Sequence, residues 1–382
     1  MSGLDMLPQP TLLFTLASFI AMIAVLVVVH EGGHYLAGRV FGTRIEAFGV
    51  GFGRELFGVT DRRGVRWRIN AIPLGGYVKF VGDMNEASQI DPAIMALPEQ
   101  DRRGLFAFLP LWQRAIIVAA GPAINFLFAI IILAGFNLAL GHQASPPVIE
   151  RVLPGSAAER AGLLAGDRIL AVDGKTINRF EDIMAQVMTG VGDPVALELQ
   201  RGSDTRRITL QPAMVETRDR FGNVSRHPRL GIARPPQVVE QVGVSGAVGW
   251  ALVDTWSITQ TIGRTLRQVV MGERDLTEMG GPVKTAQIAG QQASLGLLSA
   301  VAFMAFFSVN LGFINLLPIP TLDGGHLLLY GIEAVRRRPM AEKVQQWAFM
   351  SGFAALMSLM AVLTWQDIGS VGIWNRLANW LG

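Results

Sequence analysis

His30, Glu31 and His34 form an H-E-x-x-H pattern near the end of a long apolar run, VLVVVHEGGHYLAG (residues 25–38). On a helix, residues four apart are separated by about 400° of rotation, so both imidazoles lie on one face about one turn apart. One Zn²⁺ can accept both nitrogens there, with Glu31 beside them to take a proton from water. Zinc lowers the pKa of bound water from ~15.7 toward ~7, so the chemistry implied is hydrolysis at neutral pH. Without a ligand, two histidines and a glutamate in one apolar turn would be hard to sustain. Gly32 and Gly33 fall inside the motif, and each costs roughly 1 kcal/mol against Ala in a helix interior. Thinning the helix for a close neighbour, either another segment or a substrate backbone, is the compensation they suggest.

A catalytic zinc wants a third protein ligand and an open position. The chain has no cysteine and only five histidines, so that ligand is an imidazole or a carboxylate. The run NLGFINLLPIPTLDGGHLLLYGIEAV (residues 310–335) carries Asp323, His326 and Glu333. Pro318 and Pro320 forbid a regular helix around them, and Gly324 with Gly325 allows the backbone to turn sharply. Broken backbone at membrane depth belongs where it is packed in protein or lines a wet cavity. Asp323 is the chosen third ligand and His326 the alternative, while Glu333 reads as a surface charge on the cytoplasmic side. His142 and His227 fall in loops and read as solvated.

The elements that must position these groups are membrane helices. Of the 382 residues, 50% are hydrophobic and 16% charged, and the mean hydropathy is +0.37. Apolar segments run from about 11 to 40, 111 to 140, 297 to 317 and 344 to 364. The first lacks a basic leader and a small-residue cleavage site, so it reads as a retained helix. The net charge of +3 carries no nucleic-acid signature. Its distribution carries topology, because residues 41–110 and the link at Arg336, Arg337, Arg338 and Lys343 are basic. Both read as cytoplasmic, with the N-terminus and the region from Gly141 to about Ser294 outside. His30 and Asp323 then fall at matching depths, toward the cytoplasmic side.

These motifs together resemble the site-2 protease family of intramembrane zinc metalloproteases, most closely its bacterial branch that cleaves anti-sigma factors. The family's H-E-x-x-H matches His30 to His34. Its N-x-x-P-x-P-x-L-D-G matches Asn315, Pro318, Pro320, Leu322, Asp323 and Gly324. Its G-P-x-x-N matches Gly121, Pro122 and Asn125. The resemblance implies one zinc per chain held by His30, His34 and Asp323, with Glu31 as general base. Asn125, Asn310 and Asn315, with Pro318, Pro320, Gly75 and Gly76, would line the substrate path; the other reading of the asparagines is interhelical hydrogen bonding. Two departures stand out: Gly32 occupies a position that is more often bulky, and there is room for one PDZ domain where two are common.

The implied fold is an α-helical integral membrane protein of four transmembrane helices. A re-entrant β-hairpin region lies on its cytoplasmic side (41–110, with a turn at Asp61 to Gly64), and one extracytoplasmic PDZ domain is inserted. The division is 1–140 and 297–382 for the membrane core, 141–235 for the PDZ domain and 236–296 for an amphipathic linker. The linker helix would lie along the outer membrane face or pack on the PDZ domain. Arg229, Leu230, Gly231 and Ile232 would be the peptide-binding loop of that domain, which acts as a receptor or as a steric gate. The implied partner is a single-pass membrane protein resembling an anti-sigma factor, cut in the lipid of the bacterial inner membrane. Rival readings are clearance of remnant signal peptides and a non-catalytic membrane scaffold presenting a PDZ domain; an intact Glu31 disfavours the second.

Overall fold

The computed structural model describes residues 10–82, 94, 97–189, 192–218, 224–236, 238–273, 280–338 and 340–370. In chain order, helix α1 (Leu12–Val40) is followed by strands β1 (Ile45–Thr60) and β2 (Arg66–Phe80), then helix α2 (Leu111–Leu140). Next come β3 (His142–Ala144), β4 (Arg151–Val152), α3 (Ala157–Arg160), β5 (Arg168–Val172), β6 (Lys175–Thr176) and α4 (Phe180–Thr189). Strands β7 (Val195–Arg201), β8 (Asp204–Leu210), β9 (Ala213–Arg218), β10 (Val224–Arg229), β11 (Ile232–Ala233) and β12 (Val238–Glu240) follow. The chain ends in helices α5 (Val244–Val270), α6 (Pro282–Ser294), α7 (Leu297–Asn315), α8 (Asp323–Arg336) and α9 (Glu342–Ser370). Four of these, α1, α2, α7 and α9, are long and apolar enough to cross a membrane.

Contacts divide the chain into two units, and one joins Pro8–Ile132 to Pro282–Val362. Here α1 starts at Thr11, whose hydroxyl accepts the Phe14 amide at 3.3 Å. Helix α6, which the sequence assigned to a linker, packs on α1, where a Cβ at Gly290 would meet Thr15 at 2.7–2.9 Å. The small residue lets the two backbones approach.

Strands β1 and β2 make more than a hairpin. Ala47–Val50 pairs on one side with Gly76–Lys79, running opposite, and on its other side with Arg66–Ile69, running alongside. Phe57–Thr60 then pairs with Arg66–Ile69. Two bent strands thus build four sheet segments, with Gly76–Lys79 at one outer edge. The bends fall where Gly51, Gly53 and Gly75 take positive φ (81°, 85° and 77°), a region open to glycine. Ile45, Phe48, Val65, Phe80, Phe106 and Ile117 close the core beneath the sheet.

The second unit takes in Leu133–Gly281 and Leu363–Gly382. Its four-stranded sheet has the order β6-β5-β7-β8. Ile149, Leu163, Ile169, Ile183, Leu197 and Leu199 fill the core between this sheet and α4. Inward residues alternate along β7, as a half-buried strand requires. Arg201 grips the buried Asp167 with two bonds of 2.7 Å. Burial alone would raise the Asp167 pKa, but these bonds and the Leu164 amide hold it below the ordinary carboxylate value. The β9–β10 hairpin carries no strong period and went unread in the sequence.

Helix α5 packs within this unit through Ala247, Ala251 and Thr255. Arg179 donates to Asp254 at 2.7 Å, and Arg264 donates to Gln186 at 2.8 Å. Val244, Val248, Leu252 and Trp256, four residues apart, stay exposed on the other face. His142 is a correction to the sequence reading. It is 3% exposed rather than solvated, and its ring stacks on Trp250 at 4.1 Å. Its position directly after a membrane helix folds it under α5, and burial pushes its pKa below the ordinary imidazole value. His227 lies in β10, and its side chain is outside the described residues.

Candidate active site

His30 and His34 sit on the last third of α1, one turn apart, as the four-residue spacing requires. Asp323 opens α8 directly after the Pro318–Leu322 break, where the helix N-terminus favours a carboxylate. His30 Nε2 lies 3.2 Å from Asp323 Oδ2, and His34 Nε2 lies 3.5 Å from Oδ1. The two Nε2 atoms are 3.3 Å apart. Donors about 2.0–2.1 Å from a tetrahedral ion are separated by about 3.3–3.4 Å, so this triangle fits zinc. Asp323 Oδ2 is buried and makes no hydrogen bond, which a cation would correct. Among the described residues this is the one group of three His, Asp or Glu side chains close enough to hold a metal.

Glu31 is buried beside the triangle at 9% exposure. Its other neighbour is the outer sheet segment, since a Cβ at Gly76 would meet Val27 and, at 3.2 Å, Glu31 Cγ. His326 takes no part in the triangle. Its ring packs on Phe349 at 4.9 Å, one turn along α8. Glu333 corrects the sequence reading of a surface charge. Arg114 of α2 donates to it at 3.2 Å, with both side chains mostly buried, because α8 carries Glu333 back against the first turn of α2.

Gly324 and Gly325 serve a different end from the sharp turn read in the sequence. Both are helical, and a Cβ on either would strike the folded-back chain at the carbonyls of Leu316, Leu317 and Ile319. Asn310 and Asn315 are half-buried on α7, Pro320 packs beside Gly352, and Pro318 is exposed. Asn125 is fully buried, with its amide 3.0 Å from His30 Nδ1 and its carbonyl receiving Ser308 Oγ at 2.8 Å. It therefore faces the histidine and no open cleft. The Ile117 carbonyl receives His34 Nδ1–H at 2.9 Å, a partner invisible in a sequence because any residue type supplies it. Leu230 is buried and Gly231, with φ of 84°, abuts Ser156, so the 229–232 loop closes over α3.

The two motif glycines separate cleanly. A Cβ at Gly33 would collide with the Ala120 carbonyl and Ile124, whereas one at Gly32 would meet nothing within 4 Å. Gly33→Ala is expected to destabilise the helix pair by about 1–3 kcal/mol and to cut activity. Gly32→Leu is expected to keep both, and thermal unfolding with a cleavage assay on each variant checks the contrast. Equal behaviour of the two would refute it.

Two imidazoles and a carboxylate without sulfur are a donor set that catalytic zinc takes, and the adjoining glutamate equips it for hydrolysis. Carried on helices able to cross a membrane, that set makes the chain a membrane-embedded zinc metalloprotease. The sequence matches peptidase family M50 over residues 18–359, and the chain belongs to this family, the site-2 proteases. It is 41% identical over 360 residues to a Rhizobium meliloti protein provisionally named a zinc metalloprotease, covering 93% of this chain and 96% of the relative. A Mesorhizobium japonicum protein of the same provisional name is 39% identical over 361 residues, covering 93% and 98%. Metalloprotease MmpA of Caulobacter vibrioides is 35% identical over 391 residues, covering 96% and 98%.

Proposed function

We propose that this protease cuts single-pass membrane proteins within their membrane segment, the substrate being an anti-sigma factor already shortened outside by another protease. It works in the bacterial inner membrane, with the N-terminus and residues 141–296 periplasmic and the active site toward the cytoplasm. His30, His34 and Asp323 hold the zinc, which when bound polarises the scissile carbonyl and acidifies water. Glu31 accepts the proton from that water and returns it to the leaving amine.

The observation that carries this reading is the close approach of Gly76 to Glu31, whose Cγ would lie 3.2 Å from a Cβ at Gly76. A transmembrane helix shields its peptide bonds, so cleavage requires local unwinding and a partner for the freed backbone. The outer segment beginning at Gly75 and Gly76 offers such an edge beside the general base, and strand addition to it would stretch the substrate across the site. Asn310 and Asn315 with the Pro318 and Pro320 break line the path. Residues 141–235 form a PDZ domain, and Arg229 to Ile232 its terminal-binding loop. We assign it the part of a gate that rejects substrates with bulky outside domains.

The test uses the purified protein in lipid vesicles with a single-pass reporter substrate, trimmed or untrimmed, and maps the products by mass spectrometry. A cut inside the apolar segment of the trimmed form alone is expected. Deleting residues 148–232 should admit the untrimmed form as well. A cut outside the apolar segment would sink the intramembrane reading, and loss of all cleavage on deletion would replace the gate by recruitment.

A further inference from the structure

Three positions of α2 spaced by four, Ile117, Gly121 and Asn125, form one stripe facing the histidines. The Ile117 carbonyl takes His34 Nδ1–H. Gly121 leaves room for both rings, since a Cβ there would land on His34 Nε2 and 2.9 Å from His30 Cε1. Asn125 completes the stripe at His30 Nδ1. Ser308 of α7 donates to the Asn125 backbone carbonyl and leaves its side-chain amide to the histidine.

We propose that Asn125 is a positioning residue for the zinc site, its side-chain oxygen accepting Nδ1–H of His30. The inference rests on His30 being a ligand through Nε2. A neutral imidazole that ligates through Nε2 keeps its proton on Nδ1, and that N–H needs an acceptor. Among the described residues, Asn125 is the side chain in hydrogen-bond reach of it. Its Oδ1 is buried with no partner, and half a turn about χ2 brings that atom onto Nδ1. The rotation exchanges an unpaired acceptor for an unpaired N–H, so the histidine's own proton decides the orientation. As placed, Nδ2 is the atom 3.0 Å from Nδ1; kept there, its N–H₂ would donate to Nδ1 and drive the proton to Nε2, the atom aimed at Asp323 and His34. Asn125 thus selects which His30 tautomer is present, as the Ile117 carbonyl does for His34.

The full-length protein in detergent, stripped and titrated with zinc against a chelating dye, tests this. The visible spectrum of the Co²⁺-substituted protein gives a second readout. Asn125→Leu and Asn125→Ala, which lack the acceptor, are expected to bind zinc about 10–100-fold more weakly and to alter the Co²⁺ bands. Asn125→Asp restores an acceptor and should stay within a few-fold of the unaltered protein. Ser308→Ala, which removes the neighbouring interhelical bond but leaves the amide, should bind as the unaltered protein does. A packing role predicts the opposite order, with Leu tolerated and the buried Asp worst. Wild-type affinity in either acceptor-free variant, or a Ser308→Ala loss as large as theirs, would overturn the proposal. His30→Ala measured alongside separates the two levels. If it keeps full zinc affinity the ligand assignment itself falls; if it loses zinc while Asn125→Leu does not, the positioning role alone falls.

Discussion

Glu31→Gln is expected to leave the zinc content at one per chain while lowering cleavage by about a hundred- to ten-thousandfold. The substitution keeps the shape of a side chain that is 9% exposed and packed against the Gly76 segment. It removes only the capacity to accept a proton. His30, His34 and Asp323 form their triangle without Glu31, so metal loading should be unaffected. Metal analysis of the purified variant and mass-spectrometric detection of product give the two readouts. Cleavage within tenfold of the unaltered enzyme would remove Glu31 from the role of base. Zinc loss with inactivity would instead make it part of the metal site. The same variant should hold uncleaved substrate, so proteins recovered with it identify what the enzyme cuts.

Asp323→Asn should abolish activity through the metal. An amide oxygen is a weak zinc donor beside a carboxylate, and two imidazoles alone leave the site short of a third ligand. The loss of affinity should exceed the roughly 10–100-fold typical of outer-shell changes, so the protein should emerge from purification with much less than one zinc. His326→Ala makes the comparison, because its ring packs on Phe349 away from the triangle. It should retain full zinc. The reverse pattern, with zinc kept in Asp323→Asn and lost in His326→Ala, would move the third ligand one turn along α8.

The helices and the paired motifs were legible in the sequence because each depends on local spacing. Apolar runs of about 20 residues mark membrane helices, and the second segment has the same bounds, residues 111–140, in the structure. His30 and His34 share a face by helical geometry alone. What their spacing could not say is which distant group meets them. The sequence reading chose Asp323 over His326 on residue type and motif, and in the structure α8 starts at Asp323 after the Pro318–Leu322 loop, which brings that carboxylate to the histidines. The two glycines after it were read as a bend and turned out to be clearance for the carbonyls above them.

Residue types and their periods determined by themselves that this chain crosses a membrane and carries a histidine-and-carboxylate site for hydrolysis. Those properties come from composition and from neighbours along one helix. Only the tertiary structure decided the surroundings of that site. It set Gly33 against the Ala120 carbonyl, His34 against the Ile117 carbonyl and Gly76 against Glu31. It also folded two strands into four segments and buried His142 under Trp250. The physical reason is common to all of these. Backbone carbonyls, missing side chains and the reverse faces of helices are contact groups that every sequence contains, and packing alone selects which of them meet.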